Sequence, residues 1–260
     1  MGRKPGLADD PVRDLENRLR SVTGSVKFGA HWSRRETSRR VRVREHLEDW
    51  WPVHGFDKVP AVVGKRIACA LIGRAKLASK IAGIALLESP LEPRTPDLVA
   101  FGELLVSGAF GDDATHDANL VDWFAAKVIA PLVDRAGGPT TPGRLAVARV
   151  LVDWAGSPSA TQRRCACRAL VPHAGDRTYA PLVLLVCGMT VWSHEPADQL
   201  QVGALLKALA SVEPRRVEAF VRRIAHLMSK PAIRSAPEPF AVALRTELLA
   251  HWKRATRVRR

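Results

Sequence analysis

The spacing of the apolar residues is the feature that most constrains the fold of this chain. Along most of its length they recur at steps of three and four residues, the period that buries one face of an α-helix. Few segments alternate between polar and apolar residues as a half-buried strand does. Residues 178–192 are apolar enough for a buried strand, but their length and Met-Gly interior favour a buried helix. The other helices are predicted over 61–75, 77–88, 97–110, 118–133, 143–155, 162–171, 199–212, 215–228 and 239–252.

Proline marks two of the predicted helix starts. Thr95-Pro96-Asp97 and Thr141-Pro142 each place a proline near the first helical position, where its missing N–H is not needed. Short breaks with Pro or Gly separate the helices, which predicts an all-α protein, an α-solenoid of stacked helix pairs. A plain helical bundle is the alternative. We expect one continuous domain, divided into a basic N-terminal helical cap or arm over 1–50, a repeat domain over 51–255 and a basic tail over 256–260.

The polarity of the chain argues against a membrane protein. No uninterrupted apolar run reaches the length of about 18 residues that a span needs, and the N-terminal residues are too polar for a signal peptide. The cysteines form no CxxC pair and no zinc-finger spacing with histidine; they are Cys69, Cys165, Cys167 and Cys187. We therefore expect a cytoplasmic protein with reduced thiols, no metal and no cofactor.

The charge of the chain is large and uneven. Among 260 residues, 40 Lys and Arg stand against 26 Asp and Glu, a formal net charge of +14. Residues 13–44 carry a net +7 and residues 205–260 a net +9, whereas residues 88–136 carry a net −6. Two basic ends of this kind suit a polyanion, because neutralised phosphates release counterions. Solvated helix faces rich in arginine are the alternative.

Four common catalytic signatures are missing from the sequence. It contains no GxGxxG, GxxxxGK[ST], HExxH or GxSxG. Nucleotide hydrolysis, zinc proteolysis and serine hydrolysis therefore have no support.

Two segments carry charged residues in unusual places. Asp122 lies among Leu120, Val121 and Phe124 on an otherwise apolar helix face, where a carboxylate is costly unless it is paired or functional. Arg163 and Arg164 open a helix, although the helix dipole disfavours cations at that end. A phosphate or carboxylate partner would explain the arginine pair. An ion pair, for instance with Lys127 or an arginine of the next repeat, is the structural alternative for the aspartate.

The order and spacing of several motifs resemble the AlkD family of alkylpurine DNA glycosylases, HEAT-like repeat proteins that repair alkylated DNA. Residues 118–125, followed by Ala130-Pro131-Leu132, are similar to the family's central motif with its aspartate. Residues 201–208 with Glu213-Pro214, and residues 232–237, are similar to two later motifs. The resemblance covers roughly residues 75–245. The spacing of a further family motif is kept by Trp154, Ser157, Ser159, Thr161, Arg163, Arg164 and Ala166.

The resemblance implies HEAT-like repeats and assigns roles to individual residues. Asp122 falls on the family's catalytic aspartate, and Arg164 is favoured as the active-site member of its arginine pair. The same likeness implies that the protein is a monomer and that its partner is double-stranded DNA with alkylated purines. Candidate contacts to the DNA are Arg163, Lys207, Arg234 and Trp123.

Two tryptophans of the family are missing here. Their positions hold Ala118 and Ala204, whereas in the family these indoles pack against the sugar-phosphate backbone around the lesion. Three alternatives remain: a site opened for a bulkier lesion, a site filled by another aromatic side chain such as Trp123 or Trp192, or a catalytically idle site. On its apolar surroundings alone, Trp192 is expected in the core.

The implied chemistry fits a single carboxylate. An N3- or N7-alkylated purine is cationic and already a good leaving group, so its departure needs no general acid, unlike ordinary glycoside hydrolysis. One desolvated carboxylate can stabilise the oxocarbenium-like sugar and orient the attacking water. We therefore expect a DNA repair glycosylase that acts on cationic alkylpurines, including bulky adducts. A non-catalytic DNA-binding protein of the same fold and a repeat scaffold for an acidic protein partner are the alternatives.

Overall fold

The helices follow the apolar periodicity of the sequence and end where glycine, proline or a polar turn interrupts it. The computed structural model describes residues 11–23, 34–89, 91–111, 117–137, 141–193 and 195–224. No strand occurs among these residues, and the all-α prediction is confirmed. None of their helices is long and apolar enough to cross a membrane. The α-helices are α1 Pro11–Thr23, α2 Arg34–Val53, α3 Ala61–Ile72, α4 Leu77–Glu88, α5 Leu98–Val106, α6 Ala118–Phe124, α7 Ala130–Arg135, α8 Pro142–Ala155, α9 Ala160–Leu170, α10 Ala180–Thr190, α11 Pro196–Ala210 and α12 Pro214–Ile224.

The chain divides into two compact units, Met1–Val128 and Ile129–Arg260. In the first unit α4 is the central helix, because every residue from Leu77 to Leu87 is buried and α1, α2, α3 and α6 all pack against it. The crossing of α3 and α4 is very close at Gly83. A Cβ at this position would lie 2.4 Å from the carbonyl oxygen of Ala68, so only glycine allows this approach.

A lysine is buried in the middle of α4. Lys80 is 4% exposed, and its Nζ donates to the carbonyl oxygens of Ile72, at 2.9 Å, and Ala109. Burial lowers the pKa of Lys80 to about 8, against the opposing effect of the Asp117 carboxylate. The backbone N–H of Asp117 in turn donates to the carbonyl oxygen of Phe110 at 2.8 Å. Lys80 thus ties the end of α3 to the segment that meets the start of α6.

The second unit shows the packing of stacked helix pairs. Here α8 packs against α9 and α10, α9 against α11, and α10 against α11 and α12. Each helix thus contacts the helix that follows it in the chain, the helix after that, or both. A solenoid of stacked helix pairs requires contacts of this kind. The start of α8 is the one that the sequence predicts, since the Thr141 hydroxyl accepts a hydrogen bond from the N–H of Arg144 and Pro142 is at the first helical position.

The helix predicted over 118–133 has a wider turn inside it. After α6 the chain forms a π-helical segment, Ala125–Ile129, and then continues as α7. Pro131 explains the interruption, because a proline inside an α-helix lacks an N–H and its ring clashes with the carbonyl four residues earlier. The division between the two units falls within this segment. π-helical segments often accompany functional sites.

The remaining sequence-based predictions have mixed outcomes. Residues 178–192 are confirmed as mainly helical, since α10 covers Ala180–Thr190. Trp192 was expected in the core, and this is wrong: it is 59% exposed, because the turn after α10 buries Val191 instead. The predicted helix over 239–252 lies outside the described residues. The domain boundaries at residues 50 and 255 stay predictions.

Candidate active site

The helix that carries Asp122 has a well-defined start. The Asp117 carboxylate accepts hydrogen bonds from the N–H groups of Asn119 and Leu120, at 3.0 and 3.1 Å. Aspartate is among the preferred residues at this N-cap position, since it satisfies N–H groups that have no partner within the helix. The first turn of α6 is therefore fixed, with Asp122 one turn further along.

Asp122 lies at the edge of the core, as the sequence indicates. Its side chain is half-buried, whereas Leu120, Val121 and Phe124 are fully buried. The ring of Phe124 meets that of Phe101 edge-on, with 5.4 Å between the ring centroids, which holds α6 in place. A carboxylate in this position is only partly hydrated, so it interacts strongly with a positive charge brought against it.

Trp123 is covered by the side chains of α2. It is 6% exposed, and the Arg40 guanidinium lies over its ring with Cζ 4.3 Å from the ring centroid. The Cζ of Arg44 is 6.0 Å from the same centroid. Both distances are typical of cation–π contacts. The predicted contact of Trp123 with DNA stays a prediction, and in this structure the indole supports two arginines.

Further charged side chains are linked to Arg44 through Glu88. Glu88, at the end of α4, forms ion pairs with Arg44 of α2 and with Lys127, whose Nζ lies 3.8 Å from Glu88 Oε1. The side chains of Arg44 and Lys127 remain 44% and 55% exposed. We call Arg40, Arg44, Lys127 and Glu88 the α2 charge cluster. It holds three cations and one carboxylate beside the residue that follows Asp122.

Arg163 is anchored inside the second unit. Its Nε donates to Asp198 Oδ2 at 2.7 Å, and its Nη1 donates to the carbonyl oxygens of Ser157 and Pro158 at 2.8 and 2.6 Å. The hydroxyl of Ser193 donates to the same Asp198 oxygen at 2.6 Å. The side chains of Arg163 and Asp198 are only 10% and 4% exposed. The charged groups of Arg163 are therefore engaged by protein atoms, and its predicted contact with DNA stays a prediction.

The other candidate residues differ in exposure. Arg164 is half-buried on α9 beside the anchored Arg163, and Lys207 is exposed in the last turn of α11. Arg234 lies outside the described residues. The two alanines that replace the family tryptophans, Ala118 on α6 and Ala204 on α11, are both half-buried. Asp122 and Trp123 belong to the first unit, and Arg163, Arg164 and Lys207 to the second.

Burial disfavours the reactive thiolate form of three of the four cysteines. All four are free thiols, and those at 165, 167 and 187 are buried. Burial raises the pKa of Cys167 to about 12 and that of Cys187 well above its usual range, and it raises the pKa of the half-buried Cys69 to about 11. In the described part of the chain, no group of three or more His, Cys, Asp or Glu residues could hold a metal ion.

Sequence reasoning missed Arg40, Arg44, Glu88 and Asp198. Arg40 and Arg44 lie within the basic run 13–44, but the run alone does not say which arginines meet Trp123. Asp198 follows a proline at a helix start, where an acidic residue needs no special explanation. Its pairing with Arg163 joins residues that are 35 positions apart, so no local pattern reveals it.

Comparison with known proteins places the chain in a family. The model of the DNA alkylation repair enzyme family matches residues 67–240, about two thirds of the chain. None of the curated proteins and none of the solved structures compared with the chain matches it. The matched range includes the helix of Asp122, the arginine pair of α9 and Lys207. With its all-α fold and stacked helix pairs, the chain belongs to the DNA alkylation repair enzyme family.

Proposed function

We propose that this protein is a DNA glycosylase that hydrolyses the N-glycosidic bond of cationic N3- and N7-alkylpurines in duplex DNA. The observation that carries the proposal is the Asp122 carboxylate, half-buried on the apolar helix α6 within the range that the family model matches. A partly desolvated carboxylate stabilises developing positive charge more strongly than a hydrated one. Asp122 is therefore suited to an oxocarbenium-like sugar.

The reaction needs little else from the protein. The alkylated base is cationic, so it takes the electron pair of the broken C–N bond and departs neutral, while positive charge develops on the sugar. No acid has to protonate the base, and the pair of carboxylates of ordinary glycosidases is not required. Water attacks the sugar carbon and loses its proton, and Asp122 orients that water and accepts the proton. We expect neutral bases to be poor substrates, because they lack this built-in activation.

Arg164 is our candidate for a contact to the phosphate beside the lesion. A guanidinium presents a planar set of donors that matches two phosphate oxygens. Arg163 suits a positioning role instead, because its anchoring to Asp198, Ser157 and Pro158 fixes the loop before α9 and with it the backbone at Arg164. Lys207 and Arg234 are proposed as further phosphate contacts. We expect the protein to act as a monomer.

The small residues at two family tryptophan positions favour bulky lesions. Ala118 lies one turn before Asp122 on the same helix face, and its methyl group is much smaller than the indole that the resemblance implies there. We therefore propose that adducts larger than methyl are accepted. Duplexes with a single bulky N7-alkylguanine or with 7-methylguanine, compared for the rate of base release, test this point.

The central experiment measures base release from a duplex with a single 7-methylguanine. We expect abasic sites with the wild type and at least a hundredfold slower release with Asp122→Asn, in line with the loss of a stabilising group. Asp117→Asn is the matched control on the same helix: it also turns a carboxylate into an amide but keeps a good N-cap. No release by the wild type from methylated or bulky-adduct duplexes, with salt-sensitive duplex binding intact, would reject the glycosylase in favour of a non-catalytic DNA-binding protein.

A further inference from the structure

The charge distribution along α2 is opposite to the one that stabilises a helix. Residues 34–44 contain six arginines and one glutamate, whereas residues 45–53 contain three carboxylates and no lysine or arginine. The helix dipole favours acidic residues near the N-terminus and basic residues near the C-terminus. Helix stability therefore does not explain the arginines.

Two of these arginines face the helix that carries Asp122. Arg40 and Arg44 are one turn apart, so they share a face of α2, and both guanidinium groups lie against the Trp123 ring. Trp123 follows Asp122 directly along α6. The α2 charge cluster thus adds cations to the helix that carries the candidate catalytic carboxylate, within the same unit.

The geometry gives Trp123 a supporting function. An indole beneath a guanidinium fixes the plane of the cation. Lys127 shares the Glu88 carboxylate with Arg44 and adds a third cation, and the side chains of Arg44 and Lys127 are about half exposed. Several neighbouring cations suit the repeated phosphates of a nucleic-acid backbone.

We propose that α2 is a part of the DNA-binding surface, in which Arg40 and Arg44, together with Lys127, bind phosphates of the duplex backbone next to the Asp122 site. This inference rests on the proposed function for the identity of the ligand. It extends the binding surface beyond the family match, which begins at residue 67, after the end of α2. The net charge of +14 favours DNA over a neutral partner.

The test is the salt dependence of binding to an undamaged duplex, measured by fluorescence anisotropy with the full chain. Each phosphate contact contributes about 0.9 to the slope of log K against log salt concentration. We expect Arg40→Gln and Arg44→Gln each to reduce this slope by about 1, with weaker binding at low salt. Arg42→Gln is the matched control, because Arg42 is exposed on the same helix but points away from the shared face of Arg40 and Arg44.

Equal slopes for Arg40→Gln, Arg44→Gln and Arg42→Gln would overturn the proposal. Binding would then depend only on the net charge of the protein, and not on where the arginine lies. Arg40→Lys keeps the charge and is the second variant if Arg40→Gln does not fold. We expect it to keep the slope but bind more weakly, since lysine lacks the planar group that stacks on Trp123.

The salt-dependence experiment and the base-release experiment can fail independently of each other. If the wild type releases no base but the slopes fall at positions 40 and 44 alone, the glycosylase fails and the α2 surface stands. If the wild type releases base and the slopes do not fall, the inference about α2 fails alone. Absence of any salt-dependent duplex binding by the wild type, with binding to an acidic protein instead, overturns the inference.

Discussion

The Nε of Arg163 and the Oδ2 of Asp198 lie 2.7 Å apart in the interior of the second unit, where Ser193 also donates to the same carboxylate oxygen. The pair joins the start of α9 to the first turn of α11. It therefore links the two helices that carry the candidate residues Arg164 and Lys207. A buried pair of this kind is costly to break, because removal of one charge leaves the other without compensation.

Asp198→Asn is expected to lower the free energy of unfolding by about 3 kcal/mol, since it leaves the Arg163 guanidinium buried without its counterion. Urea denaturation followed by circular dichroism measures the change. Glu218→Gln is the control: it removes the acid of the exposed pair Glu218–Arg222 and should cost no more than about 0.5 kcal/mol. Equal effects of the two substitutions would contradict the anchoring role of Asp198.

Glu88→Gln is expected to tighten binding to duplex DNA. The substitution removes the carboxylate that holds Arg44 and Lys127, so both cations become available to phosphates and a repulsive charge is lost. We expect roughly threefold higher affinity at low salt, as for a change of less than about 1 kcal/mol at an exposed site. Anisotropy titrations measure it.

The control for this substitution is Glu103→Gln, which makes the same change in net charge at an exposed position of α5. It should have a smaller effect on affinity. Weaker binding by Glu88→Gln would mean that Glu88 positions the cations instead of competing for them.

Lys80 should make stability depend on pH between about 8 and its ordinary pKa of 10.5. Because burial lowers the pKa in the folded state, the unfolded chain binds more protons in this window, and the free energy of unfolding rises with pH. Below pH 8 Lys80 is charged in the folded state, and the cost of burying that charge lowers the free energy of unfolding in full. As Lys80 loses its proton above pH 8, the free energy of unfolding rises by up to about 1.4 kcal/mol per pH unit.

Lys80→Met removes this titration and is the comparison. Urea denaturation of both proteins at pH 7.5, 8.5 and 9.5 gives two curves, and the wild type should gain stability relative to the variant as the pH rises. The difference between them excludes groups that titrate in both proteins, including the thiols. Parallel curves would show that Lys80 has an ordinary pKa.

Gly83→Ala is expected to destabilise the first unit. Its Cβ would lie 2.4 Å from the Ala68 carbonyl oxygen and 2.6 Å from Ile72 Cγ1, so α3 and α4 must separate. A loss of about 2 kcal/mol is typical of such overpacking. Thermal unfolding measures the change.

Gly188→Ala is the matched control, in the last turn of α10. There the nearest atom to an added Cβ is 3.7 Å away, an ordinary contact with Phe220. Alanine should therefore stabilise this helix by about 0.5–1 kcal/mol, because glycine has the lower helix propensity. We therefore expect stability changes of opposite sign for the two substitutions, which distinguishes the effect of close packing from that of helix propensity.

Local patterns predicted most of the fold. The segment 77–88 was predicted as a helix from its apolar spacing and is α4, Leu77–Glu88. The helix predicted over 97–110 ends earlier, at Val106, because Ser107 leads into Gly108, which adopts a left-handed conformation with φ 78°. The same periodicity did not reveal the π-helical segment before Pro131, since a single wider turn hardly alters the apolar spacing.

The arrangement of the candidate site was less predictable. Asp122 could be singled out because a carboxylate on an apolar helix face is unusual, and a few neighbouring residues are enough to recognise that face. The cover of Trp123 by Arg40, and the partner of Arg163, depend on contacts between distant helices. Such contacts depend on how the helices pack, which the spacing of residues in the sequence does not reveal. The exposure of Trp192 also depends on packing and was not predictable from its neighbours in the sequence.

The buried thiols have a consequence for the conditions under which this protein works. Alkylating agents react with cysteine as its thiolate, and burial keeps Cys69, Cys167 and Cys187 protonated at neutral pH by raising their pKa values. Alkylating agents should therefore modify these three thiols more slowly than an exposed cysteine, so the fold lowers the reactivity of the protein itself towards the class of reagent that alkylates DNA.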